Sequence, residues 1–207
     1  MKHFYLFFLF IVSPFFLSSQ DDKKALELLD KMSDNYKKMK GFTSSFTYSM
    51  NNLIEDIKDS FEGKISVRDE KYILFIEGQK IINDSKTVWT YIEELNEVTI
   101  SEFDPSEQEI SLSNIFEIYK VGFSYKYLGV KEDLSIVEIY PEDEDKSYYK
   151  ILFKINNSNL LESFTVYDNS NSLYIYSIND FVEEELDTTL FTFDVENYPD
   201  IEVIDFR

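Results

Sequence analysis

The groups this chain offers for chemistry are almost all carboxylates. It has 40 Asp and Glu against 20 Lys and Arg, no cysteine, and one histidine, His3. That histidine sits in an apolar N-terminal stretch, so a chain that loses the stretch has neither His nor Cys. Ser-His-Asp and Cys-His arrangements are then impossible, and zinc loses its preferred ligands. Paired carboxylates can run glycoside hydrolysis, but among 40 acids some pairs fall at suitable distances by chance. No cluster joins such a pair to an evident sugar groove. The run Pro141-Glu142-Asp143-Glu144-Asp145 has the oxygen ligands calcium favours, without the glycine and spaced ligands of an EF-hand loop, and reads as a solvated acidic turn. With five glycines in all, no phosphate-cradling loop is present. Arg68 stands out, at a strand end in a chain poor in arginine. Its guanidinium fork can bond several backbone carbonyls and so latch a helix over a sheet. It can equally pair with Asp69 or Glu70 at the surface, and spacing leaves both readings open. No catalytic residue, metal or cofactor is implied.

Residues 1–20, MKHFYLFFLFIVSPFFLSSQ, have the layout of a cleaved secretory signal: Lys2 and His3, an apolar run from Phe4 to Val12, Pro14, then small polar residues at Ser18 and Ser19. The run is shorter than the ~20 residues of a membrane span, and no later segment is apolar enough to cross. The expectation is a soluble, periplasmic product comprising one domain, 21–207. The formal charge is −20, and because the leader carries Lys2 and no acid, its removal leaves −21. That balance repels phosphates, so nucleic acid is not an expected partner. Without disulfides, hydrophobic burial must supply the stability.

The elements follow from periodicity. Residues 22–40 read as an amphipathic helix, with Ala25, Leu28, Leu29, Met32, Tyr36 and Met39 on one face and Gly41 as its stop. The period then changes to two. Phe46, Tyr48 and Met50 alternate with Ser and Thr, and Phe61, Gly63, Ile65 and Val67 with polar residues. Similar runs are expected at 71–77, 79–83, 87–92, 97–101, 123–128, 134–140, 148–155, 160–168 and 173–178, with a last short strand at 190–194. So many short strands separated by acidic or Asn/Ser turns predict a mainly β (α+β) fold. An antiparallel meander of this size makes a strongly curved sheet, a half-barrel or a closed barrel. Ser106 and Glu109 make a capping-box pair, opening a short helical segment, 107–119, that carries Ile110, Leu112, Ile115, Phe116 and Tyr119 across a sheet face. The run Tyr72-Ile73-Leu74-Phe75-Ile76 is apolar on both sides and must be covered twice. The N-terminal helix is expected over one side and the 107–119 segment over the other.

Several stretches, in order, resemble the LolA family, the periplasmic carriers of outer-membrane lipoproteins. Ala25 to Met50 resembles the family's opening helix and first strand, and Phe61-Glu62-Gly63-Lys64-Ile65-Ser66-Val67-Arg68 its strand ending in a basic residue. Ile82-Asn83-Asp84-Ser85-Lys86-Thr87-Val88-Trp89-Thr90-Tyr91 is similar to a family hairpin. Leu190-Phe191-Thr192-Phe193 with Val203-Ile204-Asp205 is similar to the closing region. The resemblance implies an unclosed antiparallel β-barrel, or half-barrel, with an N-terminal helix and a helical lid over an apolar concave face. It implies that Arg68 latches the lid and that Tyr72, Leu74, Ile76 and Trp89 face an acyl-binding cavity. Phe46, Tyr48, Ile65, Tyr91, Ile115 and Phe116 complete the expected lining. The implied partners are acylated lipoproteins and an inner-membrane ABC-type release complex, with the outer-membrane acceptor left open. The sequence departs from the family in having Asp69 where proline follows the arginine, and Ser85 where the turn has glycine. The alternative from composition is a non-enzymatic secreted β-module that binds protein or glycan through exposed aromatics, which requires Trp89 to face solvent.

Overall fold

The computed structural model describes residues 15–52, 54–105, 110 and 112–207, with side chains from Asp21 onward. Most of the expected leader and the Ser106–Glu109 capping pair lie outside the described residues. Helix α1 spans Phe15–Lys38, beginning earlier and ending sooner than the expected 22–40. Lys37 and Lys38 in its last turn complement the negative end of the helix dipole. Ala25, Leu29, Met32 and Tyr36 form its buried stripe. Gly41 follows at φ +149°, and a Cβ there would meet Leu186 Cγ and the Glu184 carbonyl at 3.0 Å. The stop is therefore set by both backbone and space.

Twelve strands follow: β1 Phe42–Asn52, β2 Ile57–Arg68, β3 Lys71–Ile76, β4 Gln79–Asn83, β5 Thr87–Ile92, β6 Glu97–Glu102, β7 Phe123–Lys131, β8 Leu134–Pro141, β9 Tyr148–Ile155, β10 Leu161–Asp168, β11 Ser172–Glu183 and β12 Glu202–Asp205. They build one sheet in the order β12-β6-β5-β4-β3-β2-β1-β11-β10-β9-β8-β7. Two antiparallel meanders, β1–β6 and β7–β11, meet where β1 pairs with β11 from Phe42↔Glu183 to Asn52↔Ser172. Strands β7 and β12 remain as edges, so the sheet is an open half-barrel. The turns hold left-handed backbone at Asp133 (φ 63°), Asn159 (55°) and Asn171 (63°), residue types that tolerate it, and also at Glu132 (53°) and Ser85 (77°).

Three expectations are corrected here. The run 190–194 is not a strand. Thr188–Phe191 and Val195–Asn197 are single 3-10 turns, capped by the Asp187 and Asp194 carboxylates, which accept from the Thr189 and Glu196 amides. The meander is not wholly antiparallel, because the chain returns across the outer face and adds β12 parallel to β6. The central segment is not a regular helix over its described residues; turns at 112–117 lead into a 3-10 turn at Ile118–Lys120.

The two coverings are also distributed differently. Both α1 and the central segment pack on the inner face. Leu112, Ile115, Phe116 and Tyr119 join the α1 stripe, Phe42, Phe46, Ile65, Val137, Phe153 and Phe164 in one core. The outer face of β3–β6 is covered by the C-terminal segment. There Phe193, Val195, Tyr198 and Ile201 pack on Ile73, Ile82, Trp89, Val98 and Ile100. This strap covers the second apolar side of the β3–β6 sheet.

Candidate functional site

The core on the inner face does not fill it. A hollow of about 480 Å³ lies under the C-terminal end of α1, walled by Met39, Phe42, Val67, Tyr72, Phe103 and Phe116, with Ser33 and Tyr36 from the helix. A second, of about 800 Å³, is walled by Tyr48, Ile110, Ile118, Phe123, Val166, Tyr174 and Tyr176. Asp143, Lys146 and Asp168 also border the larger hollow, and Pro105 borders both.

Strand parity explains the walls. Phe42 and Tyr48 stand at even spacing on β1, Val67 opposes Phe42 on β2, and Tyr72 opposes Val67 on β3. On the other meander Tyr176 opposes Tyr48 and Phe164, and Tyr174 opposes Met50 and Val166. The Phe164 and Tyr176 rings stack with centroids 4.4 Å apart, and Tyr48 and Tyr176 lie 4.9 Å apart. Such offset aromatic pairs fix the wall that faces the larger hollow.

Three tyrosines near the hollows are held against ionisation. Burial pushes the Tyr36 hydroxyl well up, and it accepts a hydrogen bond from the Leu161 amide at 3.2 Å. Burial likewise raises Tyr72, partly offset by the Asn83 side chain beside it, and raises Tyr148 together with Asp143. At the edge of the smaller hollow, Lys37 on α1 pairs with Glu117 at 2.8 Å, and Lys120 pairs with the same carboxylate at 3.1 Å. Burial alone would raise Glu117, but these two lysines hold it below the usual carboxylate range. The pairing ties α1 to the central segment across the hollow's edge.

The expected lining residues divide into groups. Tyr48 borders the larger hollow, and Tyr72 and Phe116 the smaller. Phe46, Ile65 and Ile115 lie in the packed core. Leu74 and Ile76 are half-buried on the inner face, packed against that core, and border neither hollow. Trp89 and Tyr91 do not join them. Trp89 opposes Ile82 and Ile100, a register that places it on the outer face beneath Phe193, with Tyr91 beside Tyr198. Missed from the sequence were Ser33, Val67, Phe103, Val166, Tyr174 and Tyr176. The alternation that picked out Ile65 also contained Val67, and Tyr174 and Tyr176 alternate along β11, so a stricter reading of parity would have found these three.

Arg68 bonds to the chain that leaves β11 and not to the central segment. Its Nη1 donates to the Leu186 carbonyl, in the stretch that leaves β11 to become the strap, while its Nε lies 3.9 Å from the exposed Asp69 carboxylate. The hairpin turn between β4 and β5 holds Ser85 at φ 77°, and the Asn83 and Asp84 side chains cap its amides. Among the described residues no group of three or more His, Cys, Asp or Glu is placed to hold a metal ion.

Residues 77–194 match the family model of the outer membrane lipoprotein carrier protein LolA. Among solved structures, the fold is similar to that of an uncharacterized conserved protein from Thermus thermophilus, with a TM-score of 0.55 and 13% identity over 88% of this chain and 99% of that one. A LolA superfamily protein from Nitrosomonas europaea aligns with a TM-score of 0.47 and 13% identity over 82% of this chain and 97% of that one. The lipoprotein LppX from Mycobacterium tuberculosis aligns at 0.43 and 12% over 81% and 99%. No curated protein matches.

Proposed function

We propose, from the premise that this chain belongs to the family of the outer membrane lipoprotein carrier protein LolA, that it holds the acyl chains of lipoproteins against its inner face and shuttles them from the inner to the outer membrane. The observation that carries this reading is the pair of hollows left after α1 and the central segment have packed. At about 480 and 800 Å³ they fall in the range of small-molecule sites; aromatic and aliphatic side chains such as Phe42, Val67 and Phe116 in the smaller and Tyr48, Phe123 and Val166 in the larger offer apolar wall, beside polar groups at their borders. Each exposed methylene of a lipid anchor costs about 0.8 kcal/mol in water. An anchor of two or three chains therefore crosses an aqueous space only inside a covering of this kind. The net charge of −20 keeps a protein with such an interior dispersed.

In this reading residues 1–20 are a cleaved export signal and residues 21–207 act in the periplasm. Trimming α1 near residues 18–20 leaves its buried stripe, Ala25 to Tyr36, intact. An ABC-type release complex supplies the cargo, and the protein itself performs no bond chemistry. A module working through an exposed Trp89 gains no support, since Trp89 is 8% exposed and covered.

The test is native mass spectrometry of the protein from its own periplasm, paired with uptake of a diacylated peptide in vitro. A copurifying lipid or lipoprotein is expected, and Tyr174→Asp should weaken uptake at least about tenfold by placing a charge in the wall of the larger hollow. A protein that carries nothing and ignores the acylated peptide is not a carrier.

A further inference from the structure

We infer that the smaller hollow is a subsite for the uncharged carbonyl linkage of an acyl ligand, an ester or amide, with the Ser33 hydroxyl as the donor, and that it turns away free carboxylates. The inference rests on the acyl-binding reading above and adds a chemical selectivity to it.

Ser33 borders the hollow, is 2% exposed, and its Oγ has no hydrogen-bond partner among the described residues. The Tyr119 hydroxyl donates to Asp30 at 2.8 Å, and Ser33 closes no bond of good geometry with its oxygen. On the facing strands Tyr72 borders the same hollow and opposes Asn83, which is fully buried. Asn83 accepts from the Ser85 amide through Oδ1, but its Nδ2 closes no bond of good geometry, even towards the Tyr72 hydroxyl beside it. Buried polar atoms are nearly always paired. These two are the unpaired buried side-chain atoms among the described residues, and they belong to one hollow or to the residue that opposes its wall. The Asn83 Nδ2 can only donate and the Ser33 hydroxyl has a proton to give, so an acceptor entering the hollow meets an unspent donor.

The charges around the hollow decide which acceptor. Lys37 is already paired with Glu117 at 2.8 Å, and Arg68 is committed to the Leu186 carbonyl. Asp69 and Glu70 border the opening and are exposed. A carboxylate entering there meets two negative charges and no uncommitted cation, whereas an ester or amide carbonyl brings lone pairs without charge. The apolar walls at Phe42, Val67 and Phe116 receive the adjoining methylenes.

The probes are lauric acid, methyl laurate and N-methyl lauramide, which share one tail, bound to the full mature chain at pH 7.5 and read by displacement of a hydrophobic dye. The ester and amide should bind about tenfold more tightly than the acid, the effect of one buried donor finding its acceptor. Ser33→Ala suits a helix and should bring the ester and amide down to the level of the acid, while Ser33→Thr, which keeps the hydroxyl, retains most of the difference. Equal binding of all three probes, or an unchanged ester affinity in Ser33→Ala because water serves the hydroxyl equally well, overturns the subsite and leaves acyl binding standing. If none of the three displaces the dye, the acyl-binding reading falls and the subsite with it.

Discussion

Phe46 lies across Gly63. The two oppose each other on β1 and β2, and a Cβ built on the glycine would come within 2.4 Å of Phe46 Cζ and 2.9 Å of the Phe75 carbonyl oxygen. The missing side chain lets the ring lie flat on the inner face, where Phe46 is 2% exposed. The centre of the sheet is thereby packed solid, and the open space is left towards either end. Gly63→Ala should force the ring or the strand to shift and destabilise the protein by about 1–3 kcal/mol. The urea midpoint measures it, and an unchanged midpoint would show that Phe46 moves aside freely.

The Arg68 guanidinium holds the start of the C-terminal strap through the Leu186 carbonyl. Arg68→Ala leaves that acceptor without its charged donor, at a cost of about 1–3 kcal/mol. Arg68→Lys, a point charge with no planar fork, should restore only part of it. The loss should be local first. Amide exchange should quicken through 184–191, where Glu184 donates to the Gly41 carbonyl and Leu186 is buried, before it does so in β8–β10. Uniform exchange across the sheet would mean that Arg68 supports the whole fold and not the strap.

How much of this architecture was legible follows from how local each signal is. Period-two alternation and Asx-rich turns depend on neighbouring residues, so β4, β5 and β9 run as expected, and Ser85 could stand in for glycine at φ 77°. The stretch Leu190-Phe191-Thr192-Phe193 alternates just as well, with Phe191 and Phe193 buried and Leu190 and Thr192 exposed, yet it is no strand. Its rings are buried by lying across the sheet, not by pairing into it. The side taken by Trp89 depends on register with Ile82 and Ile100 and on a strap arriving about a hundred residues later, information that no local window contains. The family resemblance supplied the open barrel, which alternation alone could not separate from a closed one.

Glu138 gives the fold an acid-sensitive tie. It is 7% exposed on β8, accepts a hydrogen bond from the Tyr140 hydroxyl, and pairs with Lys150 at 2.9 Å. Burial works to raise its pKa, but the bonds from Tyr140 and Lys150 prevail and hold it below its usual value. A carboxylate depressed in the folded state stabilises above its unfolded pKa, and that contribution is lost as pH falls through the folded one. The gap between wild type and Glu138→Gln should therefore be widest near neutral pH, about 1–3 kcal/mol, and should close as pH falls below about 4. Urea midpoints at pH 7 and pH 3 test the sign, and a gap that widens on acidification would refute the pairing.

Trp89 reports on the strap because it is the chain's one tryptophan. It is 8% exposed, held between Ile82 and Ile100 of the sheet and covered by Phe193, which stacks in turn on Tyr198 at 4.5 Å. Emission should be blue-shifted and poorly quenched by iodide or acrylamide. Phe193→Ala removes the cover while leaving the inner face untouched, so it should cost about 3–5 kcal/mol and make Trp89 accessible to quencher well below the urea concentration that unfolds β8–β10. Uptake of an acylated probe should survive that substitution, because the hollows lie on the other side of the sheet. Ready quenching of the unaltered protein would remove the strap from the outer face and restore the solvent-facing Trp89 that the glycan- or protein-binding alternative requires.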